Sequence, residues 1–310
     1  MRAFAFPGGP RAGRATAILG LILALSAAGL GVRGARALAS DGEPVRLRYD
    51  FARLAGKVAI YTIESEQRVF QSLDVRDAAG ERGAGEVRVW QRLTLEQRFA
   101  RGEDGGGVVT LTQRRIEARI TSSETDEAWD SQSGLPPSPR FRAIAAELGK
   151  PVVLQVSARG EVLAARLASG AASPPSAHAG AFLVLPERPL ALGEGWSQRS
   201  AQPFPPFGEL HFRFYYRLAE RTPAVEERLG RRRFEATVGI RYEPDPDGPQ
   251  AHVELTRRSG GGHVVQDERG LLLEEVFDTE QEVTIKSARG QQKNRQRTHT
   301  VQLLRELRED

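Results

Sequence analysis

The side chains best suited to chemistry in this sequence are five histidines, His178, His211, His252, His263 and His299, and they are scattered. No two have the i, i+4 spacing of a helical zinc pair, and no H-x-H pair occurs for a strand to present. There is no cysteine. That excludes a disulfide, a thiolate metal site, a cysteine nucleophile and lipid attachment at a mature N-terminal Cys. The G-x-S-x-G and S-x-x-K nucleophile motifs and the P-loop are absent. Asp245-Pro-Asp247-Gly248 suggests a calcium loop, but the remaining EF-hand ligands are missing. It reads as a Pro-Asp-Gly hairpin turn. Gly105-Gly-Gly107 and Gly260-Gly-Gly262 lack a following Lys-Ser/Thr and helix, so they read as flexible turns. Acid pairs for glycoside chemistry cannot be chosen among 40 carboxylates without distances. The expectation is a protein that is not an enzyme and uses no metal or cofactor.

Binding residues are easier to place, because from Val45 onward apolar and charged residues alternate. Val87, Val89, Leu93, Leu95 and Phe99 form one face of a strand; Leu210, Phe212, Phe214, Tyr216 and Leu218 form another. Phe234, Ala236, Val238, Ile240 and Tyr242 make a third row, and Leu271, Leu273, Phe277, Val283 and Ile285 a fourth. Polar residues interrupt these rows at Gln91, Gln97, Gln113, Glu275 and Gln281. Two accounts fit. Either the strands outrun the core and these residues sit at solvated ends, or they are polar fixing points in a ligand cavity. In the second account Phe212, Phe214, Tyr216 and Phe234 supply the apolar wall.

The elements that would position these residues are long antiparallel strands with one solvated face. Four tetrapeptides, Asp77-Ala-Ala-Gly80, Ser157-Ala-Arg-Gly160, Asp267-Glu-Arg-Gly270 and Ser287-Ala-Arg-Gly290, share the pattern of a type I turn closed by a Gly bulge. The row in 108–121 changes phase between Leu111 and Ile116, which predicts a β-bulge near Arg114 and Arg115. One helix is expected after Ser138 and Pro139, with Phe141, Ile144, Ala145 and Leu148 as its apolar stripe and Gly149 as its stop. Segments 131–137 and 169–180 read as loops. The expected fold is mainly β: a long antiparallel meander forming a curved sheet or half-barrel, with one short helix on the concave side. Nothing forces a domain boundary within 40–310.

The formal net charge of +4 misleads. Residues 1–39 hold five arginines and no acid; the 44 Lys and Arg less these five leave 39 against 40 acids, or −1. Such a body lacks the basic footprint of a nucleic-acid binder. The leader combines Arg2, Arg11 and Arg14, an apolar run over 16–32 and Ala37-Leu38-Ala39 before Ser40. This predicts a signal peptide over 1–39 and export to the periplasm or beyond. Arg33 and Arg36 leave an uncleaved anchor as the alternative. Lys286, Arg289, Lys293, Arg295 and Arg297 make the C-terminal stretch basic. They read as a solvated strand face around a turn, with contact to anionic lipid or a polyanion as the alternative.

Leu185-Pro-Glu-Arg-Pro-Leu-Ala-Leu-Gly-Glu-Gly-Trp196 resembles a segment of exported bacterial proteins in a family without assigned function. Tyr49-Asp-Phe51, Gly149-Lys-Pro151 and Arg159-Gly-Glu-Val162 extend the likeness. The resemblance implies a shape similar to the half-barrel of periplasmic lipoprotein carriers and brings no catalytic residues. The function expected is an envelope protein that binds a lipid or other hydrophobic ligand, with envelope proteins as further partners. A structural or interaction module with a filled core is the alternative. A hydrolase with an unrecognised site is the second.

Overall fold

The computed structural model describes residues 43–75, 82–174, 178, 181–204, 207–226, 229–246, 252–287 and 290–310. The leader, Asp77-Ala-Ala-Gly80 and part of the Asp245–Gly248 turn lie outside these. The described chain is dominated by strands: β1 (Lys57–Val75), β2 (Arg82–Arg101), β3 (Gly107–Thr121), β4 (Asp126–Asp130), β5 (Pro151–Val156), β6 (Val162–Leu167), β7 (Ala172–Ser173), β8 (Gly195–Phe204), β9 (Gly208–Thr222), β10 (Arg231–Pro244), β11 (His252–Asp267), β12 (Leu272–Ser287) and β13 (Gly290–Glu309). They form one 13-stranded sheet in the order β7-β6-β5-β3-β2-β1-β13-β12-β11-β10-β9-β8, with β4 on β3. Every pairing is antiparallel, and the sheet is not closed into a barrel. The loop expected over 169–180 thus yields two residues to β7.

The turns show how far the sheet curls. In Ser157–Gly160 the Ser157 hydroxyl accepts from the amides of Arg159 and Glu161 at 3.2 and 3.1 Å. In Asp267–Gly270 the Asp267 carboxylate accepts from Arg269 and Leu271 at 2.9 and 3.0 Å. Gly160 and Gly270 have φ of 91° and 88°, as the turn pattern requires, while Gly290 has φ 141° and the two residues before it lie outside the described ones. The first two turns both embrace the segment 49–50: Tyr49 N donates to Ala158 O and Asp50 N to Arg269 O, each at 2.8 Å. Yet β5 and β12 are five strand spacings apart, about 24 Å in a flat sheet. Only a strongly curved sheet brings both turns to one short segment.

The bulge expected near Arg114 is present. Thr94 pairs with Arg115 and Leu95 with Gln113, so Arg114 is the extra residue. It keeps Val109 and Leu111, before it, on the same face as Ile116, Ala118 and Ile120 after it. The helix is shorter than expected: α1 (Phe51–Leu54) precedes the first strand, and α2 (Arg142–Ala145) is all that forms in 138–149. Ser138 does not cap it, because its hydroxyl donates to the Glu127 carboxylate at 2.8 Å. Phe141 and Ile144 still pack on the inner face, against Val89, Ile116, Ala118 and Ile120.

The glycine run Gly260–Gly262 is not a turn but the middle of β11. Gly262 stands between Ala236 and Phe277, and a Cβ there would lie 1.8 Å from the Val276 carbonyl oxygen. With no side chain at Gly260 and Gly262, the middle of β11 lets its neighbours approach closely.

Candidate functional site on the inner face

Register places the inner-face residues in rows across the sheet. One row runs Gln91, Ser65, Thr300, Phe277, Gly262, Ala236, Tyr216, Trp196; the next runs Val89, Gln67, Thr298, Thr279, Gly260, Val238, Phe214, Gln198. The rows divide by chemistry. On β9 and β10 they are aromatic and aliphatic, joined by Trp196 on β8, whereas on β2, β1, β13 and β12 all but Val89 and Phe277 are polar.

The apolar wall contains the four aromatic residues singled out from sequence. Phe212, Phe214, Tyr216 and Phe234 are all buried. Phe212 stacks on Phe214 at 6.4 Å between centroids, and Phe214 on Tyr216 at 6.1 Å. Trp196 stacks on Tyr216 at 5.2 Å, meets Phe234 edge-on at 5.4 Å and donates its indole N–H to Val184 O at 2.8 Å. The Leu185–Trp196 segment therefore enters the core. Leu185 and Leu190 are fully buried, and Leu190 bridges to Val45. Together with Leu47, Tyr49, Phe51 and Leu54 they fill the inner face at this end.

The polar belt holds Gln91 and Gln281, both buried. Solvated strand ends therefore do not explain these two. Around them lie Ser65, Gln67, Thr279, Gln296, Thr298 and Thr300, also buried. Gln281 Nε2 donates to Gln296 Oε1 at 3.1 Å, and Gln296 Nε2 to Thr298 Oγ1 at 3.3 Å. Ser65 and Thr300 hydroxyls meet at 3.3 Å. The oxygens of Gln67, Gln266 and Gln281 are buried with no hydrogen-bond partner. Each such atom costs roughly 1–3 kcal/mol unless something else satisfies it. Gln97 is buried too, on the row of Ala59 and Leu111, while Gln113 is half-buried beside the Arg114 bulge.

Glu275 stands opposite Val264 and Gln302. Its side chain makes no hydrogen bond or ion pair among the described residues and retains some exposure. Its partial burial on the inner face desolvates the carboxylate and pushes its carboxyl up to about 7. The Tyr216 phenol is raised too, through burial first and then the Glu275 charge.

Most of the belt has no counterpart in the aliphatic rows read from sequence. Its signal is the alternation Gln292, Asn294, Gln296, Thr298, Thr300, Gln302 on β13, which has no apolar member. The basic residues between them face outward and are paired: Lys293 with Glu282 at 2.9 Å, and Arg295 and Arg297 with Glu280 at 2.6 and 3.4 Å. Three histidines also stand outside the belt beside carboxylates. His263 meets Glu274 at 3.0 Å, His299 meets Asp278 at 2.8 Å, and His211 lies 3.3 Å from Glu243. Among the described residues no three His, Asp or Glu side chains are grouped to hold a metal. None of their helices is long and apolar enough to cross a membrane.

No family model matches the chain, and no curated protein does. Among solved structures it is similar to one of lipid–protein interactions in lipovitellin, with 12% identity over 82% of this chain and a TM-score of 0.41. The chain spans about a quarter of that protein, 26% of its length. It is also similar to an outer membrane channel from Pseudomonas putida F1, with 11% identity, a TM-score of 0.24, and coverage of 86% of this chain and 99% of that one.

Proposed function

We propose that this is an exported, non-enzymatic binding protein that takes a lipid or other hydrophobic molecule on the inner face of its curved sheet. The observation that carries the reading is the juxtaposition on one face of an aromatic wall and a buried polar belt with unpaired oxygens. A sealed core gains nothing from such a belt and loses stability to it. A ligand with a long apolar body and a few donors fits both halves, which is the usual make-up of a small-molecule site. Glu275, half protonated near neutrality, supplies one O–H donor or acceptor on the inner face. Export rests on the leader residues Arg2, Arg11, Arg14 and Ala37-Leu38-Ala39.

A second reading, a structural or protein-interaction module, is favoured by the complete burial of Phe234 and Leu218 in the wall. An apolar fluorescent probe separates the two. Binding to the wild type that is lost in a folded Phe214→Arg variant supports the carrier. Failure of the wild type to bind, or unfolding of Phe214→Arg, makes the face an ordinary core.

A further inference from the structure

A cavity of about 390 Å³ opens where the first strand begins, beside the mouth of the inner face. Four arginines line it: Arg46, Arg48, Arg101 and Arg232. None of them forms an ion pair among the described residues, whereas sixteen arginines elsewhere do, Arg92 with Glu64 and Arg115 with Asp130 among them.

Arg232 is the informative one. It lies on the inner face of β10, paired across to Gln266 on β11 and Arg221 on β9. Its Nη1 is inaccessible to solvent and has no hydrogen-bond acceptor. Burial and then the neighbouring Arg221 lower its hold on its proton, so the guanidinium sits where positive charge is disfavoured. The two carboxylates whose fields reach it are engaged elsewhere. Asp267 is held by Arg269 at 2.7 Å, and Glu268 by Arg53 at 2.9 Å. Three carboxylates, Asp50, Asp104 and Glu268, also line the cavity against the four guanidiniums; Glu268 is the one paired with Arg53, and Asp50 accepts from the Arg53 amide at 3.1 Å. The cavity therefore has more guanidinium than its own carboxylates neutralise. Its wall includes Tyr49, whose hydroxyl accepts from Gln266 Nε2 at 3.1 Å and so joins it to the inner face.

We propose that this cavity binds a phosphate-type oxyanion, with the half-buried Arg232 as its innermost guanidinium and the exposed Arg46, Arg48 and Arg101 at the rim. A phosphate monoester suits it better than a carboxylate. It brings up to two charges and three free oxygens to several guanidinium forks, where a carboxylate brings one charge and two oxygens. The inference deepens the ligand reading above by naming the polar end of the ligand. It rests on that reading only for the apolar tail.

The test is calorimetric titration of the full chain at low ionic strength with inorganic phosphate and with decyl phosphate. Decyl phosphate is expected to bind the wild type, and Arg232→Gln to weaken it about tenfold or more. Arg48→Gln/Arg101→Gln is expected to weaken it severalfold and to flatten its salt dependence. Inorganic phosphate that competes at similar affinity marks a free-phosphate site; inorganic phosphate that binds far more weakly marks a headgroup site. Both outcomes support the proposal. It is overturned if neither probe binds the wild type, or if the variants bind as the wild type does. Should Arg232→Gln fail to fold, the rim double variant decides by the same criterion. Uptake of an apolar probe with no phosphate binding overturns this site alone. Phosphate binding with no uptake of apolar probe overturns only the inner-face reading.

Discussion

Gly160 and Gly270 press on opposite edges of one ring: a Cβ on Gly160 would stand 2.7 Å from Tyr49 Cε2, and one on Gly270 2.8 Å from Tyr49 Cδ1. These residues close hairpins on the two wings of the sheet, so the Tyr49 contact is where the curvature is pinned. Both also sit at positive φ. Gly160→Ala and Gly270→Ala should each cost about 2 kcal/mol or more, backbone strain plus displacement of the ring. Gly134, at φ 74° with open space around its missing Cβ, is the control and should cost only about 1 kcal/mol. Urea denaturation of the three variants checks the difference; equal costs would remove Tyr49 from the account.

The amide pair in the belt allows a cleaner energetic test. Gln296→Leu leaves the Gln281 side chain with neither end bonded and should cost about 2 kcal/mol. Gln281→Leu/Gln296→Leu removes both partners and should be neutral or stabilising. If the belt serves a ligand, the more stable double variant binds an apolar probe carrying hydrogen-bond donors less well. Equal destabilisation by the single and double variants would show that the pair is held for stability.

Glu275 gives a pH signature whose sign is fixed. Its carboxyl is raised from an ordinary 4.5 to about 7, so the folded chain holds a proton there that the unfolded chain releases. The corresponding stability is fully present below about pH 4.5 and is lost as pH rises through 7, with an upper bound of about 3 kcal/mol. Thermal unfolding between pH 5 and 8 should show the wild type losing stability relative to Glu275→Gln, whose contribution is flat. Parallel profiles would place Glu275 in open water.

The Arg114 bulge predicts a large effect from a single deletion. Removing Arg114 puts either Val109 and Leu111 or Ile116, Ala118 and Ile120 on the charged face. The second cluster, in which Trp129 stacks on Phe141 at 6.3 Å, should then open and Trp129 emission shift to the red. Arg114→Gly keeps the residue count and should leave that cluster intact. An unshifted spectrum in the deletion would contradict the register.

Much of the fold was legible because it obeys one period. Alternation assigned the faces of β2, β9 and β10 correctly, and a phase change located the Arg114 bulge; on β12 it held from Glu275 onward, but a second bulge leaves Leu273 without a partner and packs Leu272 on the core in its place. The Ser/Asp-x-x-Gly pattern gave the turns at Gly160 and Gly270 because the first side chain bonds the turn amides. The helix over 138–149 shrank to one turn because Ser138 has a better partner in Glu127. Gly260–Gly262 was misread since glycine within a strand answers to close packing, which single-chain propensity does not see. The aromatic wall was readable as a row. Most of the polar belt was not, because inward and outward positions of β13 are both polar and only the neighbouring strands tell them apart.

The central claim, that the inner face carries a ligand, is tested most directly by native mass spectrometry of the protein purified from its own cell envelope. The account predicts a species heavier than the mature chain by one small apolar molecule, released on denaturation and absent from a folded Phe214→Arg variant. A spectrum holding only the bare chain, under conditions that keep the sheet folded, would contradict it.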